Sequence, residues 1–319
     1  MRFGAQQPGR DLDVLVLGDV NPDLVLADAD IDVAFGQAER IVGDAGLTIG
    51  GSGAIMACAA ARLGLRTAIA GVVGDDLFGE FMVGELQKRG VDTSGVVVDG
   101  ALRTGVTVVL ARGEDRAILT YPGAIGAMSA DRVDAGLLGR ARHVHVAAFF
   151  LQSGLAAGLS GLLAAARGAG ASTSVDPNWD PSGCWDGGLR ELLPYVDVLL
   201  PNAVEVCRIA GLEDPAEAAQ ALAALGPLVA VKLGAKGAIA AQEGQEPIAA
   251  AAPGGITPVD TVGAGDTFDA GLLAGLAAGE SVEHALALAC ACGTLSTRGA
   301  GGTDAQPTLG EAQTLRGGR

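Results

Sequence analysis

The residues most suited to chemistry stand in a glycine-rich run at 260–266, directly before an apolar stretch with helical spacing. The small residues Gly263, Ala264 and Gly265 let backbone N–H groups approach a ligand closely, and the start of a helix adds unpaired N–H donors and a positive dipole end. The run therefore predicts an anion site. Asp266 has two interpretations there: it is an N-cap of the helix, or it is a base aimed at a hydroxyl that receives a phosphoryl group.

Further polar and glycine clusters follow short apolar runs elsewhere in the chain, at 18–23, 50–53, 176–180, 201–205 and 234–237. Runs such as 14–17 and 172–176 are typical of buried strands, and helical stretches alternate with them. This alternation predicts an α/β fold of three layers around a mostly parallel sheet. Because the carboxyl ends of such strands share one edge, we expect the clusters to lie close together and to bind a ligand.

A change of pattern predicts a smaller sheet as well. Residues 106–111 and 116–121 read as two strands joined by a turn at 113–115, which indicates a hairpin. We expect a small β lid, formed by about 22–49 and 96–124 and inserted in a single domain that spans the whole chain, 1–319.

Three other groups of side chains have both a structural and a functional interpretation. Asp23 follows a proline beyond the first strand, where it is a turn residue or a carboxylate that holds two sugar hydroxyls. Asn202 and Glu205, three residues apart at the start of a predicted helix, match a capping box. His143 and His145 share one face of a predicted strand and could chelate a metal, but no third ligand is evident, so a structural role is favoured.

Composition excludes several classes of function. The chain has 319 residues, a formal net charge of −16 and a pI of about 4.5, so nucleic acid is not expected as a partner. Its five cysteines form no CxxC pair, which argues against a disulfide framework and indicates a reducing, cytoplasmic location. The sequence has no run of about 18 apolar residues, so no membrane span is expected, and the polar segment 1–13 does not resemble a signal peptide.

Several common catalytic motifs are absent from the sequence. It has no GxxxxGK[ST] loop, no GxSxG elbow and no HExxH pair, and no GxGxxG follows the first strand. The three histidines lie outside the context that a Ser-His-Asp hydrolase needs. Hydride transfer on a dinucleotide-binding scaffold is supported only by the lone Gly18.

Five motifs in order give the chain a resemblance to the PfkB/ribokinase-type carbohydrate kinases. The run 260–273 resembles the second signature of that family at every defined position, and 50–64 resembles its first signature. Residues 18–23 are similar to its first sugar-binding turn, 202–205 to its N-x-x-E motif and 234–237 to its nucleotide loop. Together these motifs cover nearly the whole chain.

The resemblance implies a ribokinase-like fold and an ATP-dependent kinase that phosphorylates a hydroxymethyl group of a sugar or sugar-like compound. Asp266 would take the proton of the acceptor hydroxyl, and the backbone amides at 263–265 would form the anion hole. Gly234, Lys236 and Gly237 would lie near the ATP phosphates.

The resemblance also implies two cation sites. Asn202 and Glu205 would act around Mg²⁺ through water molecules, since Mg²⁺ dehydrates reluctantly. Asp260, together with carbonyl groups near 296–302, resembles the family's site for a monovalent cation such as K⁺.

The acceptor would be contacted by residues of the first two clusters, Asn21, Asp23, Gly50 and Gly51. The chain departs from the family pattern in this region. Ile55 replaces an asparagine of the first signature, Ser52 replaces the lysine of the ribokinase-like GGKGAN pattern, and Asp180 stands where some sugar kinases have arginine. Ribose is therefore not assigned, and another sugar, a sugar acid or a nucleoside stays open; Ile55 would offer apolar surface to a base or a deoxy position.

Two alternatives to a sugar kinase remain, a nucleoside kinase of the same fold and a non-catalytic regulator that binds a sugar or nucleotide. The presence of Asp266 and Glu205 favours the enzyme, whereas the change at Ile55 favours the regulator. Arg116 on the predicted lid could meet a carboxylate or phosphate, although an exposed hairpin arginine is the simpler interpretation. Lid-mediated homodimers are common in the family, so the resemblance implies a homodimer.

Overall fold

The computed structural model describes residues 3–4, 9–28, 31, 33, 35–112 and 115–317. Its central strands coincide with apolar runs, because a strand in a parallel sheet is covered on both faces. In chain order the strands are β1 (Leu12–Leu17), β2 (Asn21–Ala27), β3 (Asp44–Gly50), β4 (Thr67–Gly74), β5 (Asp92–Asp99), β6 (Val106–Arg112), β7 (Asp115–Tyr121), β8 (Ala141–Val146), β9 (Ser172–Val175), β10 (Val198–Leu199), β11 (Leu228–Lys232), β12 (Ala238–Ala241) and β13 (Ile248–Ala250).

Nine of these strands form one sheet in the order β13-β12-β11-β10-β9-β8-β1-β4-β5. From β11 to β5 every neighbouring pair is parallel, whereas β12 and β13 are added in antiparallel pairings at one edge. The prediction of a mostly parallel central sheet is confirmed.

Helices cover both faces of this sheet. Successive side chains of β1 point to opposite faces of the sheet. Leu15 and Leu17 therefore pack into the hydrophobic core on one face, and Val14 and Val16 pack into the core on the other face. None of the helices that the structure describes is long and apolar enough to cross a membrane. The helices are α1 (Ser52–Arg62), α2 (Leu77–Lys88), α3 (Ala135–Arg140), α4 (Ser153–Ala156), α5 (Leu159–Gly168), α6 (Leu189–Leu192), α7 (Ala203–Ala210), α8 (Pro215–Ala223), α9 (Ala264–Ala277), α10 (Val282–Ser296) and α11 (Leu309–Gly317).

The two sides of the sheet are packed by different helices. One core is formed with α3 to α8, and the other is formed with α1, α2 and α9 to α11. The three layers expected from the alternating pattern are therefore present, with the sheet between two helical layers.

A second sheet of four strands, in the order β3-β2-β6-β7, corresponds to the predicted lid. The hairpin of β6 and β7 is confirmed by antiparallel pairing, although residues 113 and 114 of its predicted turn, and residues 29, 30, 32 and 34 of the lid, lie outside the described residues. The predicted lid segment 96–124 begins too early. The stretch 96–99 belongs to β5, whose backbone pairs with β4 at the edge of the large sheet.

Candidate active site

The polar clusters after the strands meet at one edge of the large sheet, as the sequence predicted. Asp176 directly follows β9, and its carboxylate Oδ2 accepts a hydrogen bond from Nζ of Lys232, the last residue of β11, at 2.9 Å. Asn202, beyond β10, forms a parallel backbone bridge with the same lysine. Asp19, just past β1, accepts hydrogen bonds from the backbone N–H of Ser52 at 3.2 Å and of Gly53 at 2.8 Å.

The glycine-rich run forms the start of α9 and excludes the cap interpretation of Asp266. Gly263 is the N-cap, with φ at 70°, and as a glycine it offers no side chain to cap the helix. Asp266 is the third residue of the helix, so its carboxylate is presented by a helical turn rather than by a loop. The N–H groups of that first turn find no carbonyl within the helix. That of Ala264 is engaged in a long 3.3 Å hydrogen bond to the Thr261 carbonyl.

Gly263 needs to be glycine for two reasons. Its φ lies in the left-handed region that other residues seldom adopt. A Cβ at this position would also stand 2.8 Å from both the carbonyl oxygen of Gly302 and Cγ2 of Ile55. The loop that starts α9 is therefore clamped between helix α1 and the return at 299–302.

The surroundings of Asp266 raise the pKa of its carboxyl to a value near neutral pH. Burial raises the pKa of Asp266 to about 8, and the charge of Asp176 adds to the rise. Lys232 and the Ser52 hydroxyl act in the opposite direction on this pKa. A carboxylate that titrates near the working pH is well matched to general-base chemistry.

Lys232 is a site residue that sequence reasoning did not identify. Its side chain is 13% exposed, and Nζ donates to Asp176 and lies 3.1 and 3.2 Å from the two carboxylate oxygens of Asp269. Burial raises the pKa of Asp269 well above its ordinary value. Burial also tends to raise the pKa of Asp176, but Lys232 and hydrogen bonds outweigh it and lower that pKa. A signal was available, because a lysine within the apolar run 228–233 needs a buried partner.

The predicted acceptor residues lie together where the lid joins the core. Asn21 and Asp23 belong to β2, which pairs with β3 so that Asn21 lies opposite Gly50. A Cβ on Gly50 would overlap the carboxylate of Asp23, and one on Gly51 would lie 2.8 Å from Oδ1 of Asn21. These two glycines therefore leave the space in which both polar side chains stand.

Two properties of these side chains suit a polyhydroxyl ligand. Asn21 is 2% exposed, and its Oδ1 has no hydrogen-bond partner among the described residues. Burial raises the pKa of Asp23 to about 6, and the charge of Asp19 adds to this, while Thr107 and Arg116 oppose it. A buried acceptor without a partner is costly, and a ligand hydroxyl would satisfy it.

Asn202 and Glu205 form the capping box that the sequence predicted. Oδ1 of Asn202 accepts from the backbone N–H groups of Val204 and Glu205, and Oε2 of Glu205 accepts from the Asn202 N–H at 2.8 Å. Burial raises the pKa of Glu205 to about 7, and the charge of Asp176 adds to the rise. The carboxylate of Glu205 offers oxygen atoms that can accept hydrogen bonds from metal-bound water. A nearby cation would stabilise the charged form of this buried carboxylate, so the residues fit water-mediated contact with Mg²⁺.

Asp260 ties three segments together. Its carboxylate accepts from the N–H groups of Val262 and Gly301, both at 2.9 Å, and it pairs with Arg116 of the lid at 3.3 Å. Asp260 therefore lies beside the 296–302 segment, as the resemblance implied. Arg116 is 38% exposed and reaches from the lid to the core.

The predicted nucleotide loop follows β11 as a short 3₁₀ turn, Gly234–Lys236. Gly234 and Gly237 have φ values of 61° and 95°, which explains their glycine identity. Lys236 is exposed on this turn, and no hydrogen bond among the described residues joins its side chain to Asp266.

Ile55 does not present the apolar surface that we expected for an acceptor. It is 3% exposed and packs behind the site, where it would touch a Cβ placed on Gly263 or on Gly302. Its replacement of asparagine therefore acts through the packing of the glycine-rich run.

The two histidines of β8 are buried and are hydrogen-bonded to serines of β9. His143 bonds the hydroxyls of Ser172 and Ser174 through its two ring nitrogens, and Nδ1 of His145 bonds Ser174, each at 2.7 Å. Burial lowers the pKa of His145 to about 4 and that of His143 well below its ordinary value. Within the described residues no group of three or more histidine, cysteine, aspartate or glutamate side chains could hold a metal ion.

Comparison with known proteins agrees with this geometry. Residues 11–309 match the pfkB family carbohydrate kinase model. A fructokinase from Klebsiella pneumoniae is 33% identical over 306 residues, which cover 91% of this chain and 97% of that protein. An ATP-dependent ribose-1-phosphate kinase from Halopiger xanaduensis is 33% identical, with 92% and 95% covered.

Solved structures show the same fold. A ribokinase from Arabidopsis thaliana, complexed with ribose and ATP, has a TM-score of 0.81 at 25% identity and covers 97% of this chain and 99% of that chain. An E. coli protein described as ribokinase II, solved with ATP and Mg²⁺, has a TM-score of 0.84 at 26% identity, with 95% and 98% covered. The fold, the clustered site and the match across almost its entire length together place this chain in the pfkB family of carbohydrate kinases.

Proposed function

We propose that this carbohydrate kinase transfers the γ-phosphoryl group of ATP to a hydroxymethyl group of a sugar or sugar-like acceptor, with Asp266 as the base. The observation that carries the proposal is the position of Asp266. Its carboxylate lies in the first turn of α9, beside backbone N–H groups that have no carbonyl partner within the helix, and its pKa is raised to about 8. A base and an anion site are thereby combined at one helix start.

The transfer needs few protein groups. The acceptor hydroxyl gives its proton to Asp266 while its oxygen forms a bond to the γ-phosphorus of ATP. The bond from that phosphorus to the β–γ bridging oxygen breaks, and ADP leaves with the electron pair. Backbone N–H groups at 263–265 stabilise the charge on the oxygens of the transferring group, and Gly234, Lys236 and Gly237 border the nucleotide.

Cations complete the charge balance of the site. Mg²⁺ neutralises the β- and γ-phosphates when it is bound. Asn202 and Glu205 would hold its water shell, since each carboxylate oxygen of Glu205 accepts one hydrogen bond from Asn202 and keeps a second lone pair. Asp260 and the neighbouring 296–302 segment are the proposed place for K⁺.

The acceptor is proposed to lie against Asn21, Asp23, Gly50 and Gly51. The relatives compared above include a fructokinase and a ribose-1-phosphate kinase, which support a sugar. A coupled assay of ADP release over pentoses, hexoses, sugar acids, sugar phosphates and nucleosides tests the proposal. We expect turnover with at least one sugar-like acceptor. If no compound exceeds background ATP hydrolysis, the proposal is wrong, and turnover confined to nucleosides would replace the sugar by a nucleoside.

Replacement of Asp23 with asparagine is expected to raise KM for the acceptor by about tenfold or more, because hydrogen bonds to a charged group are lost. KM for ATP should stay near the wild-type value. Asp44→Asn is the matched control, since Asp44 lies at the opposite end of the same strand pair, across from Ala27. Steady-state kinetics with both substrates varied checks this, and equal changes in the two KM values would contradict the placement of the acceptor.

We further propose a homodimer through the lid. One argument is the exposure of apolar side chains on β7, including Ile118 at 56% and Leu119 at 62%. The molar mass in solution, measured by light scattering, decides between one copy and two.

A further inference from the structure

A buried cation stands directly behind the proposed anion hole. Nζ of Lys232 lies 3.6 Å from the position that a Cβ on Gly265 would take. Gly265 is one of the residues whose N–H groups would face the transferring phosphoryl group. The ammonium therefore lies next to the helix turn whose N–H groups would receive the anion.

The cation is held by carboxylates on two separate elements. Asp176 follows β9, and Asp269 lies one turn beyond Asp266 on α9. Nζ of Lys232 is 2.9 Å from Asp176 and 3.1 Å from Asp269. Lys232 thus links the strand edge to the helix that carries the base.

Asp176 also reaches the base from the other side. Its Oδ1 accepts a hydrogen bond from the N–H of Asn178 at 2.9 Å. Nδ2 of Asn178 donates to Oγ of Ser52 at 3.1 Å, and the Ser52 hydroxyl acts on Asp266 by lowering the pKa of its carboxyl. Asn178 has a left-handed φ of 56°, a conformation that neighbouring contacts must hold in place. Asp266 is therefore approached by two chains of contacts that start from one carboxylate.

Stability alone does not explain such a cluster. Neutral side chains of similar volume often replace a buried ion pair without loss of stability, whereas removal of one partner is costly. A buried cation next to the glycine turn of a proposed phosphoryl-transfer site has an electrostatic effect that apolar packing could not supply.

We propose that Lys232 is a positioning residue of the phosphoryl-transfer site, whose ammonium fixes the turn at Gly265 and balances the carboxylates that surround Asp266. This inference rests on the proposed function, because it gives Lys232 a role in the reaction assigned to Asp266. The lysine touches neither substrate; it acts through the helix turn and through the charge behind it.

The charges around Asp266 indicate what removal of the cation would do. Among the described residues, five groups face the base. Three are carboxyl groups: Asp19 after β1, Asp176 after β9 and Asp269 on α9. The other two are the cation Lys232 on β11 and the hydroxyl of Ser52 at the start of α1. Lys232 is the cation of this set, so without it only carboxyl groups and the Ser52 hydroxyl face the base. Asp266 would then keep its proton to higher pH, and less of the enzyme would hold an ionised base at neutral pH.

The test compares four proteins: wild type, Lys232→Met, Lys232→Met with Asp176→Asn, and Lys88→Met. The Lys232→Met variant should lose at least tenfold in kcat/KM at pH 7, and the acid limb of its pH profile should move up by about one unit. Its melting temperature should also fall, because Asp176 is left without its partner. Lys88→Met removes a surface lysine that is also paired with a carboxylate, that of Glu85, and should change neither rate nor profile.

The double variant separates positioning from stability. It removes the cation and the Asp176 carboxylate together, while Asp269, whose pKa is raised by burial, remains. The asparagine oxygen still accepts from Asn178, so the melting temperature should return toward the wild-type value. Its kcat on the pH plateau should stay at least fivefold low, because the charge behind Gly265 is missing. Recovery of both melting temperature and plateau kcat would overturn the inference, as would a wild-type pH profile in Lys232→Met. An inactive wild-type enzyme would instead overturn the proposed function and this inference together.

Discussion

Replacement of Asp266 with asparagine is expected to lower kcat by a factor on the order of 10²–10⁴, the range that positioned acid–base groups contribute. Asparagine keeps the shape of the side chain but cannot take the acceptor's proton. KM for ATP should change little, because the backbone amides and the nucleotide loop are untouched. Near-normal kcat would show that Asp266 is not the base.

The same substitution should stabilise the protein at neutral and alkaline pH. The folded pKa of Asp266, about 8, lies above its ordinary value of 3.8. A carboxyl whose pKa is raised by folding contributes stability that is fully present below about pH 4 and is lost as pH rises through about 8. Asparagine has no proton to lose, so the advantage of the variant should grow from pH 4 to pH 8 and then level off.

Thermal unfolding across this pH range checks the expectation. At pH 8.5 the variant should melt higher than the wild type by an amount on the order of 2–4 °C. Asp304→Asn is a suitable control, since Asp304 is 64% exposed and pairs only loosely with Arg89, at 3.4 Å. A variant that melts lower than the wild type at alkaline pH would contradict the burial of an ionised Asp266.

Replacement of Gly263 with alanine should have the second large effect. The added Cβ would be strained at φ 70° and would meet the Gly302 carbonyl and Ile55 at 2.8 Å each. Both neighbours are themselves packed, so the start of α9 must shift. Because that turn aims the amides and Asp266, we expect kcat to fall by about 10²–10³, the loss seen when one donor of an anion hole is removed.

Gly211 offers a matched control for backbone strain. It ends α7 with φ at 72°, and a Cβ there would meet no atom of the described residues within 4 Å. Gly211→Ala should therefore destabilise the fold by about 1 kcal/mol without changing kcat. Equal kcat losses in the two variants would mean that general strain, and not the position of the anion hole, causes the effect. Circular dichroism and melting curves for both proteins exclude unfolding as the cause.

Much of the fold follows from local pattern. Apolar runs such as 12–17 and 228–232 became strands of the large sheet, and the helix–strand alternation predicted its parallel order. The capping box of Asn202 and Glu205 was also readable, since its partners are three residues apart. The start of the lid was not readable from the sequence. The backbone pairing of β5 with β4, rather than the composition of β5, decides that β5 belongs to the large sheet.

The site divides in the same way. The glycine-rich run, the acidic residues after the strands and their motif order are properties of the sequence, and they were sufficient to recognise a carbohydrate kinase. The partners of Lys232 lie 56 and 37 residues away in the chain, so its ion cluster exists only once β9, β11 and α9 are packed together. The position of Asp266 inside the helix, the raised pKa of its carboxyl and the packing of Ile55 behind Gly263 depend on burial and on neighbours from distant segments, which only the tertiary structure decides.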